Sequence, residues 1–534
     1  MNRAVAAAIA RGAVLWGPLV WTWAPCPAVA QQGDPVTFAE HVAPILFREC
    51  AVCHRPGGSG PFSVLRYDEV LPWAERIATE TESRRMPPWL PQRGYGTFVG
   101  KRRLHDEEIA VLRRWVEAGA PRGDAEHAPS VPDFASGWQL GEPDLVIPFP
   151  RYTVPANGQD IYRNLVAAVP ITGRHHVAAV DIHPGDPRIV HHARLLMDTT
   201  QSSREMDARD AAPGFDGMEL VSEAGNPPGH FIGWTPGKMP YRGADELAWA
   251  IRPGTDLVLQ LHLRPTGTPE EVEPVVGLYY AAAPPAQQSV LVALSSKMID
   301  IPAGERNHVV TDTYRLPVDI EALGVYPHAH YLGKTLEGFA TLPDGRRTWL
   351  LRIPEWDFNW QDEYHYAEPI ALPAGAVLTM RYTYDNSVNN PRNPNDPPRR
   401  VRYGPQSTDE MGDLVIQALP RTREDRERLL EDLAWKYEMR QVTFLAHQAA
   451  LAAREGLARG DSAEAVRQFQ RALLHRPTPP VHAAIAEILA GQGEFAAAAL
   501  HAEWAARLAA AAGDERLARM MEERLERYRR GRPD

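Results

Sequence analysis

The sequence predicts a multidomain chain: an all-α domain near the N-terminus, two all-β sandwiches in the middle, and an α-helical repeat C-terminus. Three observations carry this. The chain has 534 residues, several domains' worth at roughly 100–200 residues each. Its 49 prolines and 40 glycines favour many short strands joined by turns over a long-helix architecture. From about residue 440 the proline- and strand-rich pattern gives way to alanine-rich helices. A hydrophobic content of 44% and a charged content of 23% exclude a mostly disordered chain. A net charge of −11 argues against a nucleic-acid partner, and three cysteines exclude a disulfide scaffold. Nineteen histidines beside so few cysteines direct attention to imidazole chemistry.

Residues 1–30 read as an export signal. They carry Arg3 and Arg11, no acidic residue, and an apolar run from Gly12 to Ala24. Ala28-Val29-Ala30 before Gln31 forms a small-residue cleavage pattern. The run contains Pro18 and is shorter than the roughly 20 residues a spanning helix needs. The expectation is export to the periplasm or outside the cell, with no membrane span after cleavage. Loss of this segment removes Cys26 and leaves Cys50 and Cys53.

Residues 31–125 then read as a cytochrome c domain. Cys50-Ala51-Val52-Cys53-His54 is the C-x-x-C-H pattern of covalent haem attachment. Two thiols one helical turn apart can add to the two haem vinyl groups while the adjoining imidazole reaches the iron. The same cysteines could instead form a redox or zinc pair. Apolar spacing at Val42, Ile45 and Leu46 predicts a helix leading into the motif. Ile109, Leu112 and Val116 predict a second over 106–118, closed by Gly119 and Pro121. Met86, 32 residues after His54, is the expected sixth ligand; a thioether there favours ferrous iron and an electron-carrying role. His105 and His41 are the alternatives. The stretch from Gly123 to about Pro143 reads as a linker, either mobile or lying flat on the next domain.

From about residue 140 short β-type runs appear, including 144–148, 256–264 and 376–384, with a hairpin over 339–351 turning at Asp344-Gly345. This is the pattern of β-sandwiches, with boundaries at 140–290 and 291–425. Histidines sit on these runs. His328 and His330, at i and i+2, share a strand face and can chelate one ion. The neighbours His191 and His192 would point to opposite faces and can share an ion only at a bulge or strand end. His262 lies in Leu257-Val-Leu-Gln-Leu-His262. His175, His176, His183, His230 and His365 read as structural.

These segments resemble the copper type II ascorbate-dependent monooxygenases, the family of peptidylglycine alpha-hydroxylating and dopamine beta-monooxygenases. The likeness covers roughly residues 140–420, with the ligand motifs in order. It implies two jelly-roll-like copper domains. One copper would be held by His191, His192 and His262. The other would be held by His328, His330 and Met411, the methionine following an acidic pair in Thr408-Asp-Glu-Met411. The His/Met copper would meet O2 and attack a substrate C–H bond, and the three-histidine copper would store an electron. A thioether suits Cu(I), and imidazole suits either oxidation state. The chain departs from the family in lacking cysteines for bracing disulfides. Tyr326 also stands where peptidylglycine enzymes carry an arginine for the substrate carboxylate, and Asp413 and Val415 replace polar substrate contacts.

Residues 440–534 resemble tetratricopeptide repeats. The Gly460-Asp-Ser-Ala-Glu-Ala pattern returns 33 residues later at Gly493-Glu-Phe-Ala-Ala-Ala. About two such repeats are few for independent stability, so they are expected to pack on a neighbour or dock a protein partner.

Together these readings imply an exported haem- and copper-dependent monooxygenase with one covalent haem c and two coppers. It would take O2 and an organic substrate, with electrons from an ascorbate-like reductant or redox protein passing through the cytochrome. Two rival readings are a non-catalytic haem/copper electron carrier or redox scaffold, and a copper-free binding module. The first rival differs from the enzyme in having no open cleft facing the His/Met copper.

Overall fold

The computed structural model describes residues 35–533, apart from 59, 135–136, 187, 219–221 and 245–246. The expected export segment lies outside the described residues. The rest is a mixed structure of antiparallel sheets and helices.

The N-terminal portion is helical. A turn at Phe38–Val42 leads into Ala43–Glu49, and Ala74–Glu82 and Asp106–Glu117 follow. The helix expected over 106–118 is present. Its core contacts come from Leu112 and Trp115, with Ile109 and Val116 only partly covered. They pack on Phe38, Val42, Ile45 and Leu46, the i, i+3, i+4 set that makes one helix face apolar.

Residues beyond this helical core behave differently from what a single 31–125 unit suggests. Phe98 pairs with Tyr366 and joins the core of the second sheet pair. Gln92 N donates to Arg352 O at 2.8 Å and Val99 N to His365 O at 2.9 Å. The 89–99 segment is a strap, held by backbone groups that would otherwise lack partners. The following linker lies flat: Trp138 stacks on His183 at 4.2 Å and Gln139 N donates to Asp181 at 2.9 Å.

Two pairs of antiparallel sheets make up the middle. In the first pair, a five-stranded sheet contains Ile161–Ala168, Asp256–Leu263 and Val190–Asp198 side by side, facing a four-stranded sheet that includes Val275–Tyr280 and His175–His183. One apolar core joins both sheets. Asp256–Leu263 is buried along its whole length, as a central strand covered on both faces requires. The second pair has Val290–Ser295, Gly412–Pro420, Ile320–Ala329 and Tyr364–Leu372 in one sheet. His308–Arg315, Val377–Tyr384, Gly333–Thr341 and Arg347–Ile353 form the other, again around one core. The 339–351 hairpin turns where Asp344-Gly345 places it, with Gly345 at φ 85°, a conformation that suits glycine.

Helices begin earlier than the sequence suggested. Arg423–Ala458 is one 36-residue helix starting directly after the last strand, capped by Thr422 through Asp425 N. Its first half is heavily charged, yet Leu429 and Leu433 enter the second sheet-pair core. Lys436 Nζ and Arg440 Nη2 reach Asp312 at 3.0 and 3.1 Å, and Tyr314 Oη donates to Asp432 at 2.7 Å. Four further helices follow, Ser462–His475, Pro479–Gly491, Phe495–Ala511 and Glu515–Arg529. Alanines fill the gaps between them. Gly460 and Gly493, the matched glycines of the sequence pattern, both sit just after a helix at φ 80° and 81°, the left-handed stop that glycine supplies. Among the described residues no helix is long and apolar enough to cross a membrane.

Asp312 is the shared anchor between the second sheet pair and this helix. Asp312→Ala should lower unfolding stability by about 1–2 kcal/mol. It should also speed protease cleavage near residue 421. Urea denaturation and timed trypsin digestion check both, and an unchanged digestion pattern would mean that the helix is held without Asp312.

Candidate functional site

Cys50, Cys53, His54 and Met86 line one cavity of about 510 Å³ at the edge of the helical portion, with Phe62, Trp73 and Ile77. His105 and His41, the other sequence candidates for the sixth ligand, are not on its wall. His54 Nδ1 lies 3.2 Å from Phe62 O. Donation there leaves Nε2 unprotonated and available as a ligand atom. Burial keeps the His54 pKa below its ordinary value and pushes the Cys50 thiol up to about 12. A thiol so suppressed is a poor free thiolate. Arg102, Pro236 and Trp360, from outside the helical portion, complete the cavity's wall.

On the first sheet pair, His192 stands directly opposite His262, and the register shifts between Val190 and His192. That bulge is the condition under which a His-His doublet can serve one site, because the extra residue turns His191 to the same side. His191 Nδ1 and His262 Nδ1 lie 3.2 and 3.4 Å from His192 Nδ1. Nitrogens bound about 2.0 Å from a common ion are about 3.3–3.5 Å apart, so the trio has the spacing of a metal site. Among the described residues, these three are the His/Cys/Asp/Glu group able to hold an ion. His191 Nε2 is buried without a hydrogen-bond partner. His262 Nε2 is 3.1 Å from Asp160 Oδ2 but not aligned for a hydrogen bond; the carboxylate is placed as an outer support for an ion-bound imidazole. Tyr162 stacks on His262 at 4.4 Å.

On the second sheet pair, His328 and His330 have ring centroids 5.2 Å apart. His328 pairs with Asp413 and Ala329 with Gly412; extending that register by one residue sets Met411 opposite His330. Glu410 clamps this corner. Its carboxylate accepts from His330 N at 2.5 Å, Met411 N at 2.8 Å and Leu332 N at 3.0 Å. Burial nevertheless raises its pKa to about 8. Both Nδ1 atoms are occupied, His328 by Gln361 Oε1 at 2.5 Å and His330 by Asp409 O at 3.2 Å, and His330 Nε2 is buried without a partner. All five imidazoles are held below their ordinary pKa by burial, His191 at about 2. They are neutral at neutral pH, as ligands must be.

The three places meet at one short segment. The Phe358 ring lies 4.6 Å from the His191 ring and 5.3 Å from that of His330. Trp360 lines the cysteine cavity, and Gln361 holds His328. His192, His328 and Met411 also share a second cavity of about 780 Å³, lined further by Arg194, Phe231, Tyr326 and Asp413.

Several of these residues escaped the sequence reading. Gln361, Phe358, Trp360 and Arg194 carry no spacing signal, because strand pairing and loop packing bring them in. Glu410 was visible only as the acidic neighbour of Met411. The histidines read as structural make other contacts: His365 stacks on Tyr241 at 3.7 Å and His175 on Tyr280 at 4.4 Å.

No family model and no curated protein matches the chain. Among solved structures, the major capsid protein P2 of bacteriophage PM2 aligns with 52% of this chain and 98% of its own, at 10% identity and a TM-score of 0.23. A structure of infectious bursal disease virus aligns with 54% of this chain and 84% of its own, at 9% identity and a TM-score of 0.13.

Removing the Glu410 carboxylate would leave three buried N–H groups without acceptors. Glu410→Ala should therefore cost about 3 kcal/mol or more in unfolding stability, read by urea denaturation. A loss below 1 kcal/mol would show that water replaces the carboxylate.

Proposed function

We propose that the chain is an exported haem- and copper-dependent monooxygenase. It inserts one oxygen atom of O2 into a substrate C–H bond and reduces the other to water with two electrons and two protons. Those electrons arrive from a reductant or redox protein through the cytochrome c-like unit. The observation that carries this reading is the 780 Å³ cavity with His328 and Met411 on its wall. A passive electron carrier or redox scaffold has no need of such a space beside a would-be ligand pair.

His191, His192 and His262 would hold one copper, and His328, His330 and Met411 the other. Copper would supply one-electron redox chemistry at each place, with the thioether favouring the reduced state. The chain's own groups do the rest. Gln361 and the Asp409 carbonyl fix the tautomers of His328 and His330 so that Nε2 remains free. Glu410 holds His330 and Met411 in register. Cys50 and Cys53 would bear a single haem c, and His54 and Met86 would hold its iron. The C-terminal helices form a repeat module for a protein partner.

Elemental analysis of the purified full chain should return two coppers and one haem iron. His262→Ala should lower copper by about one per chain while leaving His328, His330 and Met411 loaded. A single ion bridging both sets, or no copper at all, ends the reading. Met86→Ala should abolish the sulfur–iron absorption band of the oxidised protein. Persistence of that band would assign the sixth position elsewhere.

A further inference from the structure

The 780 Å³ cavity is lined by three cations, Arg194, Lys238 and Arg426. Lys238 is neutralised by Glu363 at 2.8 Å. Among the described residues Arg194 and Arg426 lack such a partner, and Arg194 is the one whose guanidinium meets the Phe231 ring. It projects from the Val190–Asp198 strand two residues after His192, and its Nε and Nη2 donate only to the neutral Asn226 Oδ1, at 3.2 and 3.0 Å. Among the described residues no carboxylate makes an ion pair with it; Asp413 shares the cavity without reaching ion-pair distance. The side chain is only partly exposed and lines the cavity, so the charge is poorly hydrated as well as unpaired among the described residues. Such a group is costly unless something anionic meets it.

The Asn226 contact has two effects. It fixes the plane of the guanidinium, and among the described residues it leaves the Nη1 protons and one Nη2 proton without an acceptor. Two parallel donors at the end of a planar fork match the two oxygens of a carboxylate. The guanidinium carbon lies 5.4 Å from the Phe231 ring, Phe231 stacks on Tyr326 at 4.1 Å, and Tyr326 is nearly parallel to His328, 6.2 Å away at 11°. A row of flat groups thus leads from the cation to His328.

From this we infer that the cavity binds an organic carboxylate: the acid group docks on Arg194 and the apolar body lies along Phe231 and Tyr326 towards His328. The position of the acid follows from Arg194 alone; its standing as the substrate rests on the monooxygenase reading. The cation comes from the first sheet pair, across the cavity from the strand that bears Tyr326.

The test is calorimetric titration of the full chain as purified with phenylacetate and with its neutral isostere phenylacetamide. The acid should bind about tenfold tighter or more. Arg194→Gln should bring the two ligands to near parity, and Arg194→Lys should retain a reduced preference, with circular dichroism checking that each variant is folded. Equal affinities in the unmodified chain overturn the inference. So does an acid preference that survives in Arg194→Gln, since the acid would then be held elsewhere, for instance directly on a metal. Copper analysis of the same samples separates the two claims. Two coppers without acid preference sinks the anion site and spares the monooxygenase; acid preference without copper does the reverse.

Discussion

Burial of five imidazoles is the constraint on which the central part of this protein depends. An imidazole removed from water must satisfy two ring nitrogens, and an unsatisfied one is expensive. The two sheet pairs meet that demand differently. In the second, Nδ1 of His328 and of His330 is satisfied locally by Gln361 and by the Asp409 carbonyl. In the first, the Nδ1 atoms of His191 and His262 both face that of His192, and protons alone cannot satisfy both contacts, because His192 Nδ1 has a single proton or a single lone pair to offer. Bulge, register and outer carboxylate at Asp160 are all arranged around that convergence.

The segment from Phe358 to Gln361 gives the three places a common support. It is a single turn, Phe358–Trp360, capped by Asp357 through Asn359 N, so its side chains leave in three directions within one turn. One touches both histidine sets, one closes the cysteine cavity, and the next residue fixes a tautomer. Small shifts of this turn would be felt at all three, because packed neighbours leave little slack.

Much of this was legible in the residues themselves. The C-x-x-C-H run, the alternation at His328 and His330, the hairpin at Asp344-Gly345 and the matched glycines at 460 and 493 each carry local geometry. His191-His192 was ambiguous for a physical reason: regular strands separate neighbours, and a bulge is set by the partner strand rather than by the doublet. The helix from 423 was hidden because its early charges signal solvent, whereas only Leu429 and Leu433 on one stripe reach the core. Arg194 was invisible as a site residue, since its significance lies in what fails to pair with it.

The strap over 89–99 has an evolutionary consequence. Small helical units are usually pictured as cassettes that recombine freely at flexible joints. Here Phe98 is a core residue of the second sheet pair, and Gln92 and Val99 are hydrogen-bonded into it. A chain cut after residue 125 would carry away part of another domain's interior and leave a gap against Tyr364 and Tyr366. Gene fusion or loss at that joint is therefore penalised on both sides, so the helical unit and the second sheet pair should be inherited together.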